Sequence, residues 1–321
     1  MNYRPATLDD AELASDLMTA AYPARPADPV LTRLLWEQPR RGYAFGRFIV
    51  ESAKRPVGYV SWGHAPWEDV PERSCQVEVW IDRARMADGL LVDATVWISE
   101  RASEEGSRLL AAYAAEDELE LLAALEKVGY HRERVERVWE LDLSTNGARI
   151  IGEAREADQA MRREGIRCIT LAEWHDSERF RKLYELNEAT MQDVPHTLTI
   201  PPSAYEDFVK RLSTPDRPHD RLWVALDGDR PVALSYLRFP PVRGPVWTGY
   251  TCTDRRYRGR GIARAIKLQS LAQAAELGVP AVGTDNDGEN APILRLNERL
   301  GYQRQPGYVE LHKRVTNTGH A

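Results

Sequence analysis

Arg258-Gly259-Arg260-Gly261-Ile262-Ala263 joins an apolar, β-prone run, Val246–Thr253, to a helical one, Ile262–Leu277. The two glycines carry no Cβ, so the backbone N–H groups around them can turn toward a ligand. The first turn of the following helix adds unpaired N–H groups and the positive end of the helix dipole. Such a place suits a pyrophosphate. Arg255, Arg256, Arg258, Arg260 and Arg264 add positive charge around it. The same spacing also fits a basic surface turn whose glycines merely close one element and open the next. A dinucleotide fingerprint fits less well, because the third glycine of GxGxxG and its acidic partner are missing.

Outward from this loop, the periodicity predicts strands over Arg167–Leu171, Arg221–Leu226 and Pro231–Phe239, the last two joined by the hairpin signal Asp227-Gly228-Asp229. Helices are expected over Ser177–Met191 and Pro202–Leu212, with Ser177 and Ser203 as caps. In the run after the loop, Leu268, Leu271, Ala272 and Ala275 form one apolar face, closed by Gly278. A short strand Ala281–Thr284, a helix Ala291–Leu300 and a strand Val309–Lys313 follow.

The chain repeats itself. Asp82 to Leu91 lies against Asp254 to Ala263, and Leu125 to Tyr130 against Asn297 to Tyr302, both at an offset of 172 residues. Thr7-Leu8 also matches Thr170-Leu171, and Pro56-Val57 matches Pro231-Val232, with shifted spacing. Two domains are expected, residues 1–145 and 166–321, each an α/β (α+β) unit with a mixed central sheet flanked by helices. Between them, 146–165 reads as a linker, with Ser144-Thr145-Asn146-Gly147 as a turn after a strand Val135–Leu143. At the aligned loop the first half has Met86 for Arg258, Ala87 for Gly259, Asp88 for Arg260 and Leu91 for Ala263, keeping only Gly89. A carboxylate at Asp88 repels phosphate, so the first half reads as structural, or as a wall of an acceptor site.

The 321 residues are 43% hydrophobic and 29% charged, with net charge −6, an ordinary globular composition. A mildly acidic chain makes nucleic acid a poor partner. Cys75, Cys168 and Cys252 show no metal or disulfide spacing, so no metal site is expected and a reducing cytoplasm fits. No run reaches the ~18–20 apolar residues of a membrane span, and the first ten residues have no apolar signal core.

The pattern Arg258, Gly261, Ala263 resembles motif A of the GNAT N-acetyltransferases, and Asn290 followed by Ala291 to Tyr302 resembles their motif B. With the repeat, the layout is similar to that of tandem GNAT proteins such as the mycothiol synthase-like enzymes of bacteria. The resemblance implies an acetyltransferase that moves acetyl from acetyl-CoA to a primary amine of a small molecule by direct attack. It implies that Arg258, Gly259, Arg260, Gly261, Ile262 and Ala263 hold the pyrophosphate, that amides near Thr251, Cys252 and Thr253 meet the pantetheine or the acetyl carbonyl, and that Asn290 contacts the pantetheine arm. A non-catalytic acyl-CoA-binding sensor and a protein N-acetyltransferase are the alternatives. The oligomeric state is open, and a monomer is compatible with the halves forming an internal pseudo-dimer.

Direct transfer needs a neutral amine and a proton for the leaving thiolate. Many GNAT enzymes place a tyrosine where this chain has Asn297, which leaves the acid unassigned. Asn297 falls on the apolar face marked by Ile293, Leu296 and Leu300, and reads either as a cofactor contact or as a satisfied structural amide. Tyr302 is a candidate acid, with packing as its plainer role, and Tyr250 is an outsider. Asp285 is the candidate base, and Glu188, Asp193 and His196 are alternatives on or after a neighbouring helix. Cys252 has no base beside it in sequence and reads as a small strand residue rather than a nucleophile. Trp62, Trp67, Trp223 and Trp247 read as packing.

Overall fold

The computed structural model describes residues 1–85 and 89–315. In the first half, β1 (Asn2–Pro5) leads through α1 (Ala11–Ala21) and α2 (Pro29–Glu37) to β2 (Ala44–Ser52), β3 (Arg55–His64) and β4 (Ser74–Ile81). Helix α3 (Leu90–Glu104), β5 (Leu109–Ala115), α4 (Leu119–Lys127) and β6 (His131–Asp142) complete it, and α5 (Leu143–Arg163) leads onward. The second half runs β7 (Ile166–Thr170), α6 (Arg179–Met191), α7 (Tyr205–Leu212), β8 (Leu222–Asp227), β9 (Arg230–Arg238) and β10 (Val246–Thr253). It ends with α8 (Ile262–Glu276), β11 (Ala281–Asp287), α9 (Ala291–Leu300) and β12 (Gln303–Arg314). The repeat offset carries β4 onto β10, α3 onto α8, β5 onto β11 and β6 onto β12 with the same bounds.

The sheet does not divide where the repeat does. All twelve strands form one mixed sheet in the order β1-β2-β3-β4-β5-β12-β6-β11-β10-β9-β8-β7. The last strand of each half has crossed over. β12 pairs with β5 of the first half, Tyr308 opposite Ala115, and β6 pairs with β11 of the second half, Asp285 opposite Val138. Each core is filled by the visiting strand. Trp139 and Leu141 of β6 pack with Ile266, Leu271 and Val282, while Val309 and Leu311 of β12 pack with Val77, Ile98 and Leu110. Burying such side chains contributes roughly 2 kcal/mol each, so the exchange is part of what holds both cores. Helix α5 lies across α8 and buries Ile150, Ala154 and Met161.

Three local expectations give way. Ser144 to Gly147 is the first turn of α5 rather than a loop, because Asp142 Oδ1 accepts from the amides of Ser144 (2.8 Å) and Thr145 (3.2 Å). A satisfied cap outweighs the turn preference of these residues. Helix α6 starts at Arg179 behind Glu178, not behind Ser177. Asp176 takes the Glu178 amide at 2.7 Å and so builds the preceding turn. Helix α7 has Ala204 at its cap, while the carbonyl of Ser203 accepts from the Tyr184 hydroxyl at 2.8 Å.

Candidate active site

β10 and β11 run parallel and pair at two positions only, Val246 with Val282 and Trp247 with Gly283. Past Trp247 they separate. On its other edge β10 follows β9 to Thr253, with a bulge between Thr248 and Tyr250. Residues 246–251 of β10 are all half-buried, which leaves a strand edge unpaired inside a sheet. Peptide groups there need a partner. At the last paired position the Trp247 ring lies across Gly283, where a Cβ would fall 2.0 Å from that ring.

The strand ends in the glycine loop. Gly259 and Gly261 have φ of +77° and +79°, a region other residues rarely adopt. Gly261 is the N-cap of α8 and offers no side chain to cap it. The first amides of the helix therefore face outward. The arginines differ from the expectation of free positive charge. Arg255 and Arg258 both pair with Asp193, Arg256 with Asp254 (3.0 Å), Arg260 with Glu164 (2.9 Å) and Arg264 with Glu153 (2.5 Å). The hydrogen bonds from Arg255 and Arg258 hold the Asp193 carboxyl below its usual range, which removes Asp193 as a base. Exposed pairs of this kind contribute little against solvent screening, so they can open toward a diphosphate at small cost. Met86, Ala87 and Asp88, the counterpart residues in the first half, lie outside the described residues.

The other expected site residues divide between the two faces of β11. Thr251, Cys252 and Thr253 line the unpaired stretch of β10. Burial pushes the Cys252 thiol up to about 11, so it is no thiolate nucleophile. Asn290 stands at the start of α9 with no side-chain capping bond. Asn297 is fully buried, accepts from Lys267 Nζ at 3.0 Å and donates to Asn286 Oδ1 at 2.7 Å. Tyr302 is buried, and its hydroxyl has no hydrogen-bond partner. Glu188 accepts from Asn187 at 3.2 Å, and the exposed His196 ring bonds the Val194 carbonyl at 2.8 Å.

Asp285 lies on the opposite face of β11 from Asn286 and accepts a hydrogen bond from the Trp247 indole, so Trp247 does more than pack. Directly paired residues point to one face of a sheet. Asp287 opposes Glu136, Glu136 opposes Tyr308, and Arg134 opposes Glu310. Asp285, Asp287, Glu136 and Glu310 thus share a face with Arg134, which pairs with Asp287. Burial pushes the Glu136 carboxyl up to about 7, helped by Asp285 and Glu310 and opposed by Arg134. A carboxyl tuned to neutrality is suited to proton transfer. Sequence reading passed over Glu136 because it belongs to the first half, and only the strand exchange brings it beside Asp285. Lys267 was passed over as an ordinary helix lysine.

Two clefts adjoin these elements. One, of about 1030 Å³, lies between α6, the β8–β9 hairpin and Asp254 to Arg256, where Arg230 and Arg256 are both paired with Asp254. The other, of about 330 Å³, lies between the halves, with Trp36, Tyr59 and Glu78 on one side and Arg238, Arg243 and Trp247 on the other. Through Trp247 it reaches the carboxylate face. Arg25 covers that tryptophan, 3.6 Å from the ring centroid, and lies 4.4 Å from that of Tyr308. Among the described residues no cluster of metal-ligating side chains occurs, and no helix is long and apolar enough to cross a membrane.

Residues 180–302 match the family model of the acetyltransferase (GNAT) family. A tandem GNAT protein from the clavulanic acid biosynthesis pathway superposes over 99% of this chain and 99% of its own, with a TM-score of 0.77 and 17% identity. A GCN5-related N-acetyltransferase from Sphaerobacter thermophilus covers 98% of this chain and 95% of its own, with a TM-score of 0.66 and 18% identity. The GCN5-related glucosamine N-acetyltransferase region of a fungal β-N-acetylglucosaminidase covers 97% of this chain and 38% of that one, with a TM-score of 0.67 and 13% identity. No curated protein matches the chain. The chain has the tandem GNAT fold, and within its second half residues 180–302 match the acetyltransferase (GNAT) family model.

Proposed function

We propose that the protein moves an acetyl group from acetyl-CoA to the primary amine of a small molecule, with the cofactor on residues 166–321 and the acceptor held between the halves. The observation that carries this reading is the unpaired edge of β10 running into the uncapped N-terminus of α8. A pyrophosphate fits the loop amides from Arg258 to Ala263. An amide-bearing arm fits the edge at Thr251 to Thr253 and ends near the bulge. Asn290 closes the far side. Residues 1–145 supply a wall, a strand and Glu136, and 146–165 join the two units.

In this reading Glu136 takes a proton from the acceptor ammonium. The freed lone pair forms the C–N bond, the C–S bond breaks, and the thiolate leaves with a proton from solvent or from the new ammonium centre. Amides at the bulge stabilise the carbonyl oxygen as charge develops. Asp285 holds the Trp247 indole and, by its charge, keeps the Glu136 proton on until near neutral pH. Three free, buried cysteines suit a reducing compartment such as the cytoplasm.

Calorimetry with acetyl-CoA and free-thiol release against a panel of amines test the proposal. One site per chain and thiol release with at least one amine are expected. Binding without thiol release would leave the sensor reading, and no binding would end both.

A further inference from the structure

Lys267 is the sixth residue of α8 and is 1% exposed, yet its amine makes one hydrogen bond, to Asn297 Oδ1 at 3.0 Å. An ammonium has three donors, and a buried charge with one neutral partner is costly. The amine reaches β11 and β10 through two intermediaries, Asn297 and Tyr302. Toward β11 the chain runs Lys267 to Asn297 to Asn286. Its direction is fixed while Lys267 is an ammonium, which can only donate. Asn297 Oδ1 accepts, so its Nδ2 donates to Asn286 Oδ1, and the Asn286 Nδ2 is left as the free donor beyond the point where the strands part. Toward β10 the amine sits 4.9 Å from the Tyr302 ring centroid. The Tyr302 hydroxyl lies beside Thr248 at the bulge, and neither hydroxyl is in hydrogen-bond geometry.

The first half shows the same shell without this device. Thr95 and Leu125 stand in place of Lys267 and Asn297. Thr95 bonds the Leu91 carbonyl at 2.7 Å, and the Tyr130 hydroxyl, counterpart of Tyr302, pairs with Ser99 at 2.8 Å. The fold therefore needs neither a lysine nor an orphaned tyrosine here.

We infer that Lys267 is a positioning residue for acyl transfer, which orients Asn297 and Asn286 and places a positive charge behind the bulge where the thioester carbonyl and leaving sulfur lie. It neither gains nor loses a proton in the step; its charge favours the developing oxyanion and the departing thiolate. This rests on the proposed function. Burial lowers the amine to about 7, with Asp285 opposing. Facing it are the neutral Asn297 from α9, Asn286 from β11, and Tyr302, whose phenol burial keeps above its usual range, while the charge of Asp285 acts from the opposite face of β11. Glu153 of α5, the helix packed over α8, is engaged by Arg149 and Arg264. Activity therefore falls as pH rises through about 7.

The test uses Lys267→Met and the double variant Lys267→Thr with Asn297→Leu, which copies the pair already packed in the first half. Acetyl-CoA affinity is expected within about threefold of wild type, with kcat lower by about ten- to a hundredfold. The falling limb above neutral pH should vanish, and the double variant should melt no lower than wild type. Unchanged kcat with the falling limb retained would overturn the role of Lys267 while leaving the proposed function standing. Wild-type protein that binds no acetyl-CoA would remove both.

Discussion

The two halves share a plan at an offset of 172 residues and differ where the second half opens. In the first, β4 and β5 stay paired through four positions, Ser74–Val77 against Leu109–Ala112, and alternate residues of β4 are buried. In the second, the equivalent strands part after two, and β10 carries a bulge that β4 lacks. The contrast continues behind the strands, where Thr95, Leu125 and a satisfied Tyr130 face Lys267, Asn297 and an unsatisfied Tyr302. A closed copy shows what this shell requires to be stable. Whatever the open copy has beyond that, against the cost of unpaired polar groups, points to function.

The comparison breaks most sharply at the helix N-termini. Gly89 and Gly261 both have left-handed backbone, φ +83° and +79°, with open space where a Cβ would go. Aspartate at either position adds similar strain, but on the proposed function only Gly261→Asp sets a carboxylate beside a diphosphate. We expect acetyl-CoA affinity to fall by about a hundredfold or more in Gly261→Asp, on the order of an unpaired charge, and to stay within about threefold in Gly89→Asp. Calorimetry giving equal losses, or two equal sites per chain, would end the distinction between a silent and a binding half.

A second prediction asks whether the first half takes part in chemistry. Glu136→Gln should lower kcat/KM by about a hundredfold and abolish the rise in rate as pH climbs toward 7, below the falling limb that Lys267 sets. The stability sign is opposite. The folded carboxyl keeps its proton up to about 7 against 4.5 when unfolded, so its contribution is present below 4.5 and is lost as pH rises to 7. Glutamine cannot ionise, so the variant should be more stable than wild type at pH 8, by up to about 3 kcal/mol in unfolding free energy, and equally stable at pH 4. A slower but equally stable variant would place Glu136 outside the buried carboxylate face.

The smallest effect is expected at Tyr302. Its hydroxyl bonds to nothing, so Tyr302→Phe should leave stability unchanged or slightly raised and change kcat by less than about tenfold. A thousandfold loss with unchanged cofactor affinity would make this tyrosine the proton donor, and the likeness of Tyr302 to Tyr130 would then hide a change of role.

What the sequence made legible was local. The backbone at Gly259 and Gly261 follows from the residues there, and the repeat could be found because β4, α3, β5 and β6 recur without insertion. What it concealed depends on distant parts. Lys267 in Arg264-Ala265-Ile266-Lys267-Leu268 reads as a solvated helix lysine until Asn297 of α9 and Tyr302 pack against it. Glu136 reads as a surface residue in a charged strand until β6 crosses to β11. The arginines after β10 looked free because Asp193, Glu164 and Glu153, which engage them, lie 62 to 111 residues earlier in the chain.

The crossing of β6 and β12 also sets a timetable for synthesis. β5 ends at Ala115 and waits for Tyr308 to reach it. At about 5–20 residues per second, that edge stays bare for roughly ten to forty seconds while the ribosome makes the second half. The early chain meanwhile has β6 ready and no β11 to receive it. Bare edges invite pairing with other chains, and contacts so far apart in sequence form slowly. A chain cut between the repeats would not release two working pieces, because each piece would carry the strand that the other needs.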